Sequence, residues 1–291
     1  MSFQRAYELT FTTTTNAFSD EELIFSQSDL KPLGLMVDFN IMKSRSTGKN
    51  QGNIRITNPS RDTMAAFQKE GKVTLKAGYH GDIAKILVGR KESISFTDEG
   101  GSKTIDITVV EGAATKTEAI FSKNYSVGTR ISTIIDDIVQ HLIDKVDSIE
   151  EKNKYQITDF TTYTYPQVVY GDSFQLLEEI LGSIGYEYFI NRGTITILKE
   201  TGFVRDLIVD VNPYSGMIGS PKPISEKKGS TLSNGIQFRH VLNYNFDIGR
   251  LIKVFSNDIE ERNYVIDSVN FIGNTFQGDW ICDVRAMESN E

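Results

Sequence analysis

Three histidines, one cysteine, a set of acidic doublets and a single tryptophan are the side chains of this sequence with the means to do chemistry. A metal site needs imidazole, thiolate or carboxylate ligands at short, recurring separations. His80, His141 and His240 stand far apart, and none lies at such a separation from another ligand. Each reads as an ordinary surface or half-buried histidine. Cys282, in the run WICDVRA, falls in an alternating strand pattern and reads as a small core residue. One cysteine makes no internal disulfide and no cysteine-built metal site. The acidic doublets are Glu21-Glu22, Asp136-Asp137, Glu150-Glu151, Glu178-Glu179 and Glu260-Glu261. Glycoside hydrolysis needs two carboxylates facing each other across a cleft, one with a raised pKa. Sequence neighbours on a helix point apart, so these doublets read as solvated faces. Gly100-Gly101-Ser102-Lys103 lacks the spacing of a phosphate loop, and Gly216 to Gly219 precedes no helix, so neither is a nucleotide fingerprint. Trp280 beside Asp279 offers a platform for a sugar, but its place near a strand start fits a core residue better. No catalytic residue, cofactor or metal is expected.

The elements that would position such groups divide the chain into three. Residues 1–120 are β with one short helix. Leu35, Val37, Phe39 and Ile41 alternate with Met36, Asp38, Asn40 and Met42, a period of two with one buried face. Met36 and Met42 on the second face hint at further covered surface. Ser60 can cap a short helix over 60–70, with Gly71 as its left-handed stop. Lys72–Tyr79 and about Ala84–Gly89 form strands. A hairpin turn is signalled at Asp98-Glu99-Gly100-Gly101-Ser102. Residues 121–200 change period. Ile131, Ile134, Ile135, Ile138, Val139, Leu142 and Val146 make one helical stripe, with Ser126 or Thr129 to cap it. Asp172-Ser173-Phe174-Gln175 opens a second helix, and a hairpin follows at 186–199. The two helices are expected to cover the sheet. Residues 201–291 return to β, broken by Asn212-Pro213 and Ser220-Pro221-Lys222-Pro223, with strands at about 235–242, 250–256, 263–272 and 278–287. No sequence repeat links the two β stretches, although a structural duplication needs none.

Composition sets the remaining bounds. The 291 residues have room for two or three small domains, and 39% hydrophobic with 24% charged residues is ordinary for a globular protein. A net charge of −8 argues against a general nucleic-acid surface. No apolar run has the length to span a bilayer, and the first residues lack a signal-peptide core. With one cysteine, this predicts folding in a reducing cytosol.

Several runs together resemble a known family. KSRSTGKNQGNIRITNPSRDT, then GKVTLKAGY, then LVG, are similar to the first β domain of the central baseplate hub proteins of contractile phage tails, the late control protein D-like hub superfamily. SVGTRISTIIDDIVQHL followed by YGDSFQLLEEILGSIGYEYFINRGTITIL resembles that family's middle module. SGMIGSPKPISEKKGSTLSNGIQFRHVLNYNFDIGRLIKVFS and NYVIDSVNFIGNTFQGDWICDVRAME resemble its closing domain. Asn243 is followed here by Tyr244 where the family has proline.

The resemblance implies a mainly β fold with an α+β insert: tube-type antiparallel β-barrel domains at 1–120 and 201–291 flanking a small α+β module at 121–200. It implies a homotrimer whose two similar domains per chain give a pseudo-sixfold ring, joining a sixfold tail tube to a threefold spike and letting DNA pass. The partners implied are the tail-tube or tube-initiator protein and the central spike protein, with the tape-measure protein as a further candidate. Specific nucleic-acid or membrane binding is not implied. The location implied is the baseplate of a virion tail, assembled in the host cytoplasm. The loops 45–53 and 91–103, with Arg45, Lys49, Lys91 and Lys103, are the expected contacts to neighbouring rings. The rival readings are a cell-wall-degrading tail enzyme and a glycan-binding module centred on residues 121–200.

Overall fold

Hydrophobic alternation organises most of this chain into strands. The computed structural model describes residues 4–14, 20–27, 34–45, 50–153, 155, 157–158, 161–228, 231–257 and 259–289. The first stretch holds β1 (Arg5–Thr14), β2 (Asp20–Gln27), β3 (Met36–Ser44), β4 (Gln51–Thr57), α1 (Arg61–Gln68), β5 (Gly71–Tyr79), β6 (Asp82–Glu99) and β7 (Ser102–Val110). The middle holds α2 (Lys116–Ala119), β8 (Ile120–Tyr125), α3 (Ile131–Lys145), β9 (Glu151–Lys152), β10 (Gln167–Asp172), α4 (Ser173–Ser183), β11 (Tyr186–Asn191) and β12 (Thr194–Lys199). The last holds β13 (Val204–Val211), β14 (Met217–Lys228), β15 (Thr231–Val241), β16 (Arg250–Val254), β17 (Arg262–Asn274) and β18 (Trp280–Glu288).

Local signals explain most boundaries. In β3, Val37, Phe39 and Ile41 point inward and Asn40 and Met42 outward, as the period of two requires. Gly100 and Gly101 take φ of +60° and +87° to close the β6–β7 hairpin. Ser60 caps α1 by accepting from Thr63 N at 3.0 Å. The helix buries Phe67 against Phe11, ring centroids 4.4 Å apart, a burial that contributes about 1.5–3 kcal/mol. Asp172 caps α4 by accepting from Phe174 N and Gln175 N.

Three local expectations are corrected. Gly71 is not a left-handed stop: α1 ends at Lys69 in extended conformation, and Gly71 already belongs to β5. Glycine is needed there for space, because a Cβ would lie 2.5 Å from Thr12 O and 2.8 Å from the Phe11 ring. Neither Ser126 nor Thr129 caps α3, whose N-cap is Arg130 without a side-chain bond; Thr129 Oγ1 instead donates to Ser126 O at 2.7 Å. Pro221 and Pro223 do not break the chain but lie within β14. Along the described strands β14 pairs with β15 alone, and an edge strand tolerates missing donors.

The strands outside the middle module join one sheet, in the order β14-β15-β18-β17-β3-β4-β7-β6-β5-β1-β2, with β16 and β13 branching from β17. Every described pair in it except β13–β16 is antiparallel. The first and last stretches are thus two curled halves of one sheet over one continuous core, which runs from Leu9, Ile54 and Leu75 to Phe238, Phe271 and Val284. They meet where β3 pairs with β17, from Ser44↔Ser268 to Asp38↔Asn274.

The two halves repeat one strand order. In the first, β3-β4-β7-β6-β5-β1 lie side by side; in the last, β14-β15-β18-β17-β16-β13 do. The chain visits both sets in the same sequence. Each has a long strand, β6 or β17, that serves one neighbour early and another later. Each long strand carries a register shift against its hairpin partner, at Lys91/Ser93 in β6 and at Ile266/Ser268 in β17. Even a cross-strand ion pair recurs in place. Arg55 of β4 faces Asp106 of β7, and Arg239 of β15 faces Asp283 of β18, at 2.6 and 2.8 Å. The halves differ at β13, which runs parallel to β16 where β1 runs antiparallel to β5.

The middle module has a core of its own. The inward stripe of α3 packs with Phe174, Leu177 and Leu181 of α4 and with Ile190, Ile195 and Ile197 of the β11–β12 hairpin. The helices therefore cover the module's small sheets rather than the large one, because those sheets supply the nearest apolar face.

Candidate functional site

The main buried cluster of charge lies where the three parts meet. Lys43 continues the inward parity of β3, so its amine ends inside the protein. Its Nζ donates to Asn191 Oδ1 at 2.5 Å and lies 3.4 Å from Glu111. Glu111, just after β7, also accepts from Val88 N at 3.1 Å, Arg192 N at 2.8 Å and Asn50 Nδ2 at 2.8 Å. Asn191 donates onward to Asp247, between β15 and β16, and Asp247 pairs with Arg192 at 3.5 Å. Burial pushes the Lys43 amine below its usual range, and the Glu111 and Asp247 carboxylates oppose that shift. The cluster ties β3, the turn after β11 and the loop after β15 into one unit. Its members bond to one another and to backbone N–H groups, although the buried Arg192 Nε makes no hydrogen bond; such a network suits a lock rather than a reactive centre.

Three of the four residues expected at neighbouring rings make bonds within their own chain. Lys91 is buried, 5% exposed, in β6 and not in a loop. Its Nζ donates to the carbonyls of Phe67 and Lys69 at 2.9 and 2.6 Å, satisfying the free C-terminal acceptors of α1. Arg45 reaches the middle module of its own chain, donating from Nε to Glu187 at 2.8 Å. Lys103 is half-buried in β7 opposite Asp98, with its backbone N–H donating to Asn58 Oδ1 at 3.2 Å. Lys49 lies outside the described residues.

The other candidates are packed or paired. Trp280 is in the core, edge-on to Phe39 at 5.3 Å, with its Nε1–H donating to Gly78 O at 3.1 Å, so it presents no sugar platform. Cys282 is buried, which raises its thiol to about 12. His240 is buried edge-on to Phe246, and burial lowers its pKa below 6.5. Asp137 and Glu150 are pushed up by burial, but hydrogen bonds from Lys123 and Tyr125, and from Lys85 and Lys72, outweigh it and hold both low. A general acid needs the opposite shift. Among the described residues no three His, Cys, Asp or Glu converge as metal ligands. None of the described helices is long and apolar enough to cross a membrane.

What the molecule does present is sheet surface and sheet edge. The outer face of β3, β4, β7, β15 and β18 carries Asn40, Asn53 and the recurring Arg55–Asp106 and Arg239–Asp283 pairs, and its β3, β4 and β7 part lines an open groove with the end of β17. Such exposed pairs contribute little to stability, but they leave the face polar with its arginines partnered. Met42, 64% exposed, stands on it at the β3–β17 join.

No family model matches the sequence, and no curated protein matches it. Solved structures match its fold along most of its length. A tail protein from Neisseria meningitidis MC58 has 8% identity and a TM-score of 0.62, covering 98% of this chain and 97% of that one. The 43 kDa tail protein of prophage MuSo2 from Shewanella oneidensis has 9% identity and a TM-score of 0.62, covering 97% of each. The E. coli c3393 protein has 12% identity and a TM-score of 0.60, covering 88% of this chain and 74% of that one. It is a component of the type VI secretion system with structural similarity to the T4 bacteriophage tail proteins gp27 and gp5. This chain has a tail-protein fold.

Proposed function

We propose that this chain is the central baseplate hub of a contractile tail, a structural subunit rather than an enzyme. Three copies close a ring in which the two halves of each chain supply six similar β units. The ring joins a sixfold tail tube, or its initiator, to a threefold spike, and the tape-measure protein reaches it from inside. Its place is the tail baseplate, assembled in the host cytoplasm.

The observation that carries this reading is the repeated strand order, marked by the Arg55–Asp106 and Arg239–Asp283 pairs. One subunit of three meets a sixfold partner evenly only by offering two similar units. The polar outer face suits a channel lining, since paired arginines leave little free positive charge to hold DNA. The buried Lys43–Glu111–Asp247 cluster fixes the middle module against both units.

Light scattering of the purified full-length chain over a wide concentration range tests the assembly. Three times the chain mass is the expected result. A species that stays at one chain mass contradicts the reading.

A further inference from the structure

We propose that the outer edge of β14 in one copy pairs antiparallel with residues 93–99 of β6 in the next copy, in the register that β3 and β17 adopt within one chain. This rests on the ring reading and deepens it, because it names the strands that join subunits and the residues that face each other.

The repeated strand order leads to it. Within the chain, β3 of the first half pairs with the later part of β17 of the last half. The counterpart of β3 in the last half is β14, and the counterpart of β17 in the first half is β6. Among the described residues each lacks the neighbour its counterpart has. Among the described residues β14 pairs with β15 alone. Residues 93–99 of β6 pair with β7 on one edge. On the other edge the pairing with β5 reaches only to Arg90 of β6, opposite Lys72, whereas the matching stretch of β17 goes on to take β3. Among the described residues two open edges therefore remain, one on each half, matching the two sides of a join the chain already makes. A head-to-tail contact of this kind either closes a ring or runs on as a filament.

The register follows residue by residue. The shifts at Lys91/Ser93 and Ile266/Ser268 set Ser93 of β6 level with Ser268 of β17, and so Thr97 level with Ile272. The two Arg–Asp pairs set β4 level with β15 and β7 with β18. Lys222 faces Gln237, as Asn40 faces Asn53, so Lys222 stands where Asn40 does. Asn40 faces Ile272. In the new joint Lys222 therefore faces Thr97, Pro223 faces Phe96 and Ile224 faces Ser95.

The side chains fit that arrangement. Phe96 is 42% exposed on the open edge of β6, and the joint lays it against Pro223. Pro221 and Pro223 deny donors to any strand that approaches β14, which discourages indiscriminate pairing. The joint thus gains less from backbone hydrogen bonds than β3–β17 does and more from side-chain packing.

Disulfide trapping in the full-length chain tests this. Thr97 and Lys222 are exposed, so Thr97→Cys with Lys222→Cys leaves the core alone, and native Cys282 is buried. Within one chain the two edges lie seven strand spacings apart along the sheet, and a bridge inside one chain would keep one chain mass, so only covalent multimers report the joint. Mild oxidation is expected to yield covalent species ending at the trimer, at least about tenfold more than Thr97→Cys with Ser225→Cys, which is out of register by three residues or roughly 10 Å. A chain that has the trimer mass but cross-links no better than this control overturns the joint and leaves the ring standing. A chain that is monomeric and uncrosslinked overturns both.

Discussion

Lys43 shows how a single side chain can hold three parts of a molecule together. Its amine is fully buried and serves Glu111 and Asn191, which in turn reach the loop after β15. Removing one partner of a buried ion pair leaves the other charge uncompensated. Lys43→Met should cost about 3–5 kcal/mol in urea unfolding; a loss under about 1 kcal/mol would mean that Glu111 finds its compensation elsewhere. His240 makes a different prediction. Burial depresses its folded pKa below 6.5, so between those values the unfolded chain binds a proton that the folded chain does not. The stability it supports is complete above about pH 6.5 and declines as pH falls toward the folded value. His240→Leu should flatten that decline in thermal melts at stepped pH, and an unchanged slope would assign it to other groups. At this scale the sequence was partly legible. The inward parity of β3 passes through Lys43, and a lysine on a buried face announces a partner, but nothing in the string says that the partner is Glu111. For Arg45 and Lys91 the charge in the string does not announce exposure: Lys91 is buried and Arg45 is bonded to the middle module. Their long stems let both reach acceptors inside their own chain.

Among the elements, hairpins and helices were the easiest to read, since turn glycines, caps and periodicity are local. β6–β7, β11–β12, α1 and α4 all form where those signals lie. β14 is hidden by its prolines, which signal a break in a central strand but are accepted by an edge strand. The β3–β17 join was hidden for another reason: its partners are far apart in sequence, and pairing between distant strands leaves no periodic trace. Gly273 is a direct probe of that join. It faces Phe39 across the two strands, and a Cβ there would lie 2.2 Å from the Phe39 ring. Gly273→Ala should force Phe39 off its contact with Trp280 and cost roughly 1–3 kcal/mol. Urea unfolding reads the loss, and an unaltered midpoint would show that the join yields without strain.

The whole molecule is one sheet bent into two like halves, with a module that keeps its own core. That likeness could not be read from residue identities, because strand order is fixed by which backbones pair, and alternation tolerates many apolar choices on the inward face. The corresponding pairs Arg55–Asp106 and Arg239–Asp283 were present in the string but became a signal only once the strands were in register. In the proposed ring, three copies arrange these halves as six similar units around one axis. A cryo-EM map of the assembled chain decides whether they do. The expected result is a closed trimer in which residues 1–120 superpose on 201–291 after a turn of about one-sixth of a circle. A particle whose two halves bear no common rotation about the axis, or one built from a number of chains other than three, would contradict it.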